Sequence, residues 1–229
     1  MNETLALITA RKNSKRVPRK NLKLLWGEPL IFYTFKAALE SKKIGRIVLS
    51  TDDDEIIEYA NSFPGIEVLF KRPNSISEDN SSDWQVFDHA LTYLNGLNYK
   101  PEIIVHLRPT SPLRTPTHID SAIELLVANQ DATSVRSVRK IEQSIFKTYF
   151  LRDKFLEFVE LTGISNARDL PTQILPETYA HVGYVDVTRS STIQELKSMT
   201  GDRIIPFLIK DSQPGINTLG DFEFYESLK

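Results

Sequence analysis

Residues 5–22 read LALITARKNSKRVPRKNL, and this stretch decides the fold that we predict for the chain. It begins with four apolar residues, which is typical of a strand buried in a parallel sheet. The following residues are strongly basic: seven of the thirteen residues from position 11 to position 23 are lysine or arginine, and no acidic residue lies between Glu3 and Glu28. A buried strand that leads into a cationic loop predicts an anion-binding site, because open α/β sheets bind phosphates at the carboxyl ends of their strands.

The basic loop, residues 11–23, matches neither of two common phosphate-binding motifs. GxxxxGK[ST] and GxGxxG are both absent from the chain. A solvated loop without a function is the simple alternative, since most runs of charge are solvated. The cations follow the first strand directly and Pro18 restricts the loop, so we favour the phosphate site.

The rest of the chain alternates between predicted strands and helices. Apolar runs predict strands at residues 47–50, 66–70, 103–107, 132–138 and 204–209. Amphipathic patterns predict helices at residues 29–40, 84–94 and 117–128, and a further one that begins near Glu55. Thr51 or Asp52 is the predicted cap of that further helix, and Ser81 or Ser82 caps the one at 84–94. This succession predicts an α/β domain with a mostly parallel sheet.

Residues 144–161 interrupt the alternation with two aromatic-rich halves around residues 152–154, which predicts a hairpin. Exposed aromatic strands favour a partner. We therefore predict a single domain over residues 1–229, with residues 144–176 as an excursion through which the protein forms a homodimer. The aromatic residues of the excursion on which this rests are Phe146, Tyr149, Phe150, Phe155 and Phe158.

Composition excludes several classes of function. The net charge is −2, and outside the seven cations of the basic loop 21 basic residues stand against 30 acidic ones, so we expect neither a nucleic-acid nor a membrane partner. The chain has no cysteine, which excludes disulfides, thiolate zinc sites and a cysteine nucleophile. It shows no apolar leader and no long apolar run, so we expect a cytoplasmic protein.

Two motifs resemble those of the CMP-sialic acid synthetases, the acylneuraminate cytidylyltransferases. Residues 10–22, ARKNSKRVPRKNL, are similar to the N-terminal signature of that family, and residues 107–114, LRPTSPLR, are similar to its Leu-Gln-Pro-Thr-Ser-Pro-Leu-Arg. Arg108 replaces the Gln, at a position that faces the nucleotide in the family. The first motif agrees with the signature at Arg11, Ser14, Lys15, Pro18, Lys20 and Asn21.

The resemblance is weaker towards the C-terminus. Ala180 and Val182 stand where the family has an Arg and an Asn that touch the sugar acid. Asn217 and Leu219 stand where it has two aspartates that hold magnesium. We therefore expect N-acetylneuraminate to be a poor substrate, and magnesium to be held largely by the nucleotide.

The resemblance implies a doubly wound, Rossmann-like sheet of the nucleotide-diphospho-sugar transferase type. It implies a cytidylyltransferase that transfers CMP from CTP to a sialic-acid-like 2-keto sugar acid (a nonulosonate), releases pyrophosphate and serves cell-surface polysaccharide synthesis. Arg108 and Asn217 favour one alternative, an enzyme of the same fold that uses another nucleotide or a sugar phosphate. A non-catalytic sugar-nucleotide binding protein and a nucleic-acid binder are the others.

The predicted site combines residues from both motifs with others that the resemblance implies. Arg11 and Lys20 are the predicted catalytic residues, because a planar guanidinium and a mobile ammonium suit triphosphate oxygens. We expect His106 to line the core or cleft rather than act as a base. Nucleotide contacts are predicted for Ala10, Arg11, Ser14, Lys15, Lys20, Asn21, Arg72, Ser82, Arg108 and Thr110. Sugar contacts are predicted for Thr110, Ser111 and Tyr184, and weak ligands of a Mg²⁺ cofactor are Asn217, Asp221 and Asp186.

Overall fold

A seven-stranded sheet lies at the centre of the molecule. The structure is a computed structural model that describes residues 3–159, 163–164 and 166–229. In chain order the strands are β1 (Thr4–Ala10), β2 (Leu24–Leu25), β3 (Glu28–Pro29), β4 (Arg46–Thr51), β5 (Ile66–Glu67), β6 (Ile103–Leu107), β7 (Ser134–Lys140), β8 (Tyr149–Arg152), β9 (Phe155–Phe158), β10 (Tyr179–Arg189) and β11 (Ile204–Leu208). The α-helices are α1 (Leu30–Leu39), α2 (Asp54–Asn61), α3 (Asp83–Gly96), α4 (Pro116–Ala128), α5 (Ser190–Glu195) and α6 (Leu219–Glu226).

The strands of the central sheet follow the order β11-β7-β10-β6-β1-β4-β5. Strand β1 is parallel to β4 and β6, β4 is parallel to β5, and β7 is parallel to β11. Strand β10 runs antiparallel to both of its neighbours, β6 and β7. The prediction of a mostly parallel α/β sheet is therefore confirmed, and the direction of β10 is a feature that the sequence did not indicate.

Strand β1 is central because both of its faces are apolar. Leu5 and Leu7 pack against the cluster that contains Phe87 of α3, whereas Ala6 and Ile8 face the cluster on the other side of the sheet. These four β1 side chains are at most 1% exposed. Each large apolar side chain buried in this way stabilises the fold by about 1.5–3 kcal/mol. The core thus fixes the end of β1, from which the basic loop departs.

Strand β10 changes register against β7 between His181 and Asp186. Gly183 lies inside this irregularity with a φ of 70°, a conformation that glycine adopts without the strain that a Cβ atom introduces. Beyond it, Asp186 pairs with His106 of β6 on one side and Arg136 of β7 on the other. The irregularity therefore sets which β10 residue lies beside the end of β6.

Two sequence predictions need correction. The strand predicted at residues 66–70 is only the two-residue β5, because Leu69 and Phe70 leave the sheet and pack against the α3 cluster. The cap of α2 is Asp53, not Thr51 or Asp52, and its carboxylate accepts a hydrogen bond from the Glu55 backbone N–H at 3.0 Å.

The displaced candidates for that cap have other partners. Thr51 still belongs to β4, and its hydroxyl accepts a hydrogen bond from the Asp53 backbone N–H at 3.1 Å. The Asp52 carboxylate accepts from the Lys12 backbone N–H at 2.8 Å, so it anchors the basic loop. Ser82 is the cap of α3, within a capping box formed with Gln85.

The predicted hairpin is present, with β8 antiparallel to β9. Residues 160–162 and 165 of the predicted excursion lie outside the described part of the chain. Phe146, which we predicted to be one of the exposed aromatic residues of the excursion, is instead buried in a small cluster with Ala167 and Leu175. Among the described helices, none has the length and apolar character needed to cross a membrane.

Candidate active site

A cleft of about 620 Å³ opens at the carboxyl ends of β1 and β6. The basic loop forms one wall, and residues 72–83 and 108–110 form much of the remainder. Most of the predicted site therefore comes together in space. The predicted residues that line the cleft are Arg11, Ser14, Lys15, Lys20, Asn21, Arg72, Arg108, Thr110 and Asn217.

Five polar or charged residues without a predicted role also line the cleft. Arg16 belongs to the run of charge, so its presence follows from the basic loop. Thr9 lies one residue before the end of β1, which was itself a usable signal. Nothing in the local pattern singled out the three acidic residues, Glu78, Asp79 and Asp83, because they lie in a polar segment beside a helix start.

Three predicted residues lie beside the cleft without lining it. Ala10 is buried at the end of β1, and Ser82 caps α3 between Ser81 and Asp83, which do line the cleft. Asp221 lies in the first turn of α6, where its carboxylate accepts from two backbone N–H groups.

The two predicted sugar contacts Ser111 and Tyr184 are buried, at 1% and 2% exposure. The Ser111 hydroxyl donates to the carbonyl of Gly183 at 3.1 Å. The Tyr184 hydroxyl accepts from the Gln213 backbone N–H at 3.1 Å. Thr110 does line the cleft, and its carbonyl accepts from the Ile216 backbone N–H at 2.8 Å.

The basic loop is folded so that its two ends meet. Val17 is fully buried against Leu25, which anchors the middle of the loop. The side-chain amide of Asn21 donates to the carbonyl of Arg11 at 3.0 Å, closing the loop across ten positions. Arg11 and Lys20 are thereby brought into one cleft.

Lys20 is the most constrained cation of the loop. Its ammonium donates to the Ile216 carbonyl at 3.0 Å. Burial lowers the pKa of Lys20 to about 8, and repulsion from Arg16 and Arg11 acts in the same direction, while Asp221 opposes them. The charge of Lys20 is therefore present at neutral pH and lost in mildly alkaline solution.

Arg72 provides a fixed charge on the floor of the cleft. It is 5% exposed, and its Nε donates to the hydroxyl of Ser50 at 3.0 Å while Nη2 donates to the Ser50 carbonyl. Burial lowers the pKa of Arg72 to about 10, so the guanidinium stays charged at neutral pH.

A carboxylate stands among the cations of the loop. Asp79 accepts from Arg11 Nη1 at 2.7 Å and pairs with Lys15 Nζ at 2.5 Å. The hydrogen bond from Lys15 has the largest effect and lowers the pKa of Asp79; desolvation opposes it, and the hydrogen bond from Arg11 lowers the pKa further.

Arg108 joins two acidic residues from different elements. Its guanidinium pairs with Asp186 of β10 at 2.7 Å and with Asp83 of α3 at 2.8 Å. Asp186 also accepts from His181 at 2.9 Å. Burial alone would raise the pKa of Asp186, but the His181 hydrogen bond and the Arg108 charge together hold it well below its usual range.

His106 is fully enclosed beneath the cleft. Its Nε2 lies 2.9 Å from the hydroxyl of Thr9, which lines the cleft. Burial lowers the pKa of His106 to about 3, with the nearby Arg108 acting in the same direction, so the imidazole is neutral at physiological pH. In this geometry His106 positions the Thr9 hydroxyl.

Residues 5–157 match the sequence profile of the family described as Cytidylyltransferase.

This chain belongs to the cytidylyltransferase family.

Its relatives include enzymes named for several sugar acids. It is 33% identical over 151 residues to the pseudaminic acid cytidylyltransferase of Campylobacter jejuni, a match that covers 66% of this chain and 64% of the relative. It is 37% identical over 121 residues to the CMP-N,N'-diacetyllegionaminic acid synthase of Legionella pneumophila, covering 53% and 52%. It is 29% identical over 223 residues to the N-acylneuraminate cytidylyltransferase of Streptococcus agalactiae, covering 95% and 51%. The matched region spans less than two thirds of each relative's length.

Solved structures share the fold over nearly the whole chain. A CMP:2-keto-3-deoxy-manno-octonic acid synthetase complexed with CTP superposes with a TM-score of 0.72 at 16% identity, covering 99% of this chain and 98% of that one. The 4-diphosphocytidyl-2C-methyl-D-erythritol synthase of Anaerococcus prevotii superposes with a TM-score of 0.64 at 13% identity, covering 99% and 96%. The cytidylyltransferase architecture predicted from the sequence is thereby confirmed.

The two predicted magnesium ligands that carry a carboxylate, Asp186 and Asp221, are engaged by other groups of this chain. The Asp221 carboxylate accepts from the backbone N–H groups of Asn217 and Thr218, both at 2.7 Å. Asp186 is held by Arg108 and His181. Among the described residues, no group of three or more acidic or histidine side chains is placed to hold a metal.

The Arg108 network generates a stability prediction. Arg108→Met should lower the free energy of unfolding at pH 7 by about 2–3 kcal/mol, because it leaves the buried Asp186 with fewer positive partners. Urea denaturation measures this change. Arg203→Met is the matched control, since Arg203 pairs with Asp131 at an exposed position, and should be nearly neutral. Equal effects of the two substitutions would contradict a structural role for the Arg108 network.

Proposed function

We propose that this chain transfers CMP from CTP to a 2-keto sugar acid of the nonulosonate class and releases pyrophosphate. One observation carries the proposal: Arg11, Lys15, Lys20 and Arg72 converge on one cleft at the carboxyl end of the first buried strand. Membership of the cytidylyltransferase family supports the choice of CTP. The names of the Campylobacter and Legionella relatives support the class of sugar.

The reaction is a displacement at the α-phosphorus of the nucleotide. A bond forms between a hydroxyl oxygen of the sugar acid and the α-phosphorus, and the bond from that phosphorus to the bridging oxygen breaks. Pyrophosphate leaves with the electron pair, and the hydroxyl proton passes to water. Positioning and charge stabilisation supply most of the catalysis in such a transfer. In this cleft the basic loop faces the phosphates and neutralises the charge that develops on the leaving group.

Arg11 and Lys20 have different roles in this proposal. Arg11 presents a planar guanidinium that binds two phosphate oxygens at once. Lys20 is held by the Ile216 carbonyl, so it offers a point charge whose direction is set before the substrate binds. Arg72 and the start of α3 after Ser82 also border the cleft, and we place the cytosine beside them.

We propose that magnesium enters with the triphosphate, because the described acidic residues do not form a metal site of their own. Among the predicted ligands, Asn217 is the one that lines the cleft; its amide nitrogen donates to the Gly215 carbonyl at 3.0 Å. Calorimetry should detect magnesium binding only in the presence of nucleotide. Tight binding to the nucleotide-free protein would show that a protein site exists.

The central test is a pyrophosphate-release screen of four nucleoside triphosphates against keto sugar acids and sugar 1-phosphates. We expect release with CTP and a nonulosonate, and at least a tenfold loss of turnover in Arg11→Ala and Lys20→Ala, which corresponds to about 1.4 kcal/mol or more of transition-state stabilisation. Lys23→Ala is the matched control, because Lys23 belongs to the same loop but lines neither the cleft nor the cavity that adjoins it. Normal turnover in both cleft variants would remove the loop from the mechanism.

The lowered pKa of Lys20 predicts a pH dependence. The value of kcat/KM should fall as the pH rises through about 8, because the free enzyme then loses the Lys20 charge that faces the phosphates. Lys20→Arg should shift this loss to much higher pH, since arginine stays charged. Steady-state rates between pH 6 and pH 10 measure the profile, and an identical alkaline limb in both proteins would assign it to another group.

We further propose a homodimer formed through residues 144–176. Phe150, Leu151, Phe155 and Leu156 on the hairpin are between 53% and 72% exposed, which is unusual for a two-stranded ribbon surrounded by water. Light scattering at micromolar concentration should report a dimer, and Leu151→Asp should dissociate it without unfolding the central sheet. A monomeric parent protein would end this proposal.

A further inference from the structure

Asp79 occupies the space between two cations of the basic loop. One carboxylate oxygen accepts from Arg11 Nη1 at 2.7 Å, and the other pairs with Lys15 Nζ at 2.5 Å. Each oxygen therefore serves a different cation, as two oxygens of a phosphate group would. An anion belonging to the protein already fills part of the place that we assign to the phosphates.

The segment that carries Asp79 is a tight turn. The Ser81 backbone N–H donates to the Glu78 carbonyl at 3.2 Å, and the Ser81 hydroxyl accepts from the Glu78 backbone N–H at 3.1 Å. Asp79 lies at the exposed tip of this turn. Its carboxylate can therefore swing away from the loop without disturbing the core.

The contact also lies between two cavities. A second cavity of about 1030 Å³ adjoins the cleft, and Arg11, Lys15 and Asp79 line both. Opening the contact between Asp79 and the two cations joins the two spaces. A polyphosphate thus has room on both sides of the position that Asp79 occupies.

The neighbouring acidic residues differ from Asp79. Glu78 lines the same cavities, but within the described residues it forms no ion pair. Asp83 pairs with Arg108 and not with the basic loop. Asp79 is therefore the carboxylate whose removal frees Arg11 and Lys15.

Any anion that uses both cations must first displace Asp79, and this cost is the same for every ligand. A carboxylate or a single phosphate then recovers little more than the two contacts that were lost. A triphosphate carries more charge and also reaches Lys20, which does not pair with Asp79. The common cost excludes weak anions from the cleft while strong ones still bind.

We propose that Asp79 is a built-in competitor at the polyphosphate site: it weakens the binding of every anion by the same factor, so that single carboxylates and monophosphates, which bind weakly, do not occupy the cleft. The excluded ligands include the carboxylate of the sugar acid, whose capture at this place blocks the nucleotide. The inference rests on the proposed function, because it takes the basic loop to be the polyphosphate site.

The test measures binding of orthophosphate, pyrophosphate and tripolyphosphate to the full chain by calorimetry at pH 7 and low ionic strength, where exposed charges are least screened. Asp79→Asn should tighten the binding of all three anions by a common factor of about threefold to tenfold, the range expected when two exposed ion pairs no longer compete. Asp79→Ala should give the same gain if the charge is responsible.

Glu78→Gln is the matched control, because it removes the same charge one residue away from the contact. It should leave the three affinities within about twofold of those of the parent protein. Equal gains in Glu78→Gln and Asp79→Asn would overturn the inference in favour of a general effect of charge. Unchanged or weaker binding by Asp79→Asn would overturn it by showing that Asp79 holds Arg11 and Lys15 in place for the ligand.

These outcomes are separate from those that test the proposed function. Inorganic polyphosphates need neither a nucleotide nor a sugar, so a parent protein that binds tripolyphosphate but releases no pyrophosphate from CTP contradicts the reaction and leaves the role of Asp79 intact. A parent protein that catalyses the reaction, with Asp79→Asn binding phosphates no more tightly, contradicts the role of Asp79 alone.

Discussion

The seven cations of the basic loop repel one another, and carboxylates from other parts of the chain hold them in position. The Asp52 carboxylate binds the backbone at Lys12, and Asp79 pairs with Arg11 and Lys15. Like charges confined to a short loop otherwise extend it into solvent. These acidic partners, with the buried anchor Val17, let positive charge accumulate at the end of β1, where we propose that a polyphosphate binds.

Acidic residues also hold Arg108 in position, but here the cost of desolvating the ions is larger. Asp186 is 4% exposed and the Arg108 side chain is 22% exposed, so these two ions depend on each other to offset the cost of desolvation, while Asp83 binds Arg108 from a more exposed position. The antiparallel strand β10 and its irregularity at Gly183 deliver Asp186 to this place. The irregular backbone of β10 thus places Asp186 where it pairs with Arg108, a residue that lines the cleft.

The cations of the cleft differ in how firmly the protein holds them. Arg72 is fixed by Ser50, Lys20 is held by one carbonyl and sits close to its point of deprotonation, and Arg11 shares its charge with Asp79. A fixed charge pays no reorganisation cost when the substrate binds, whereas a charge held by a displaceable partner can select among ligands. In the proposed function, the cleft therefore combines a cation that is held in place before the ligand binds, Arg72, with a cation that the ligand must first free from Asp79, Arg11.

The sequence by itself determined the main alternation of strands and helices, the position of the basic loop after β1, and a serine cap at the start of α3. These features are local: the apolar run of β1, a run of charge, and two serines before α3 are visible within a few residues. The tertiary structure alone decided the direction of β10, the burial of Ser111 and Tyr184, and the place of Asp79 beside Arg11. Those depend on contacts between residues far apart in the chain, and an acidic residue in a polar segment looks the same in the sequence whether it faces water or a guanidinium.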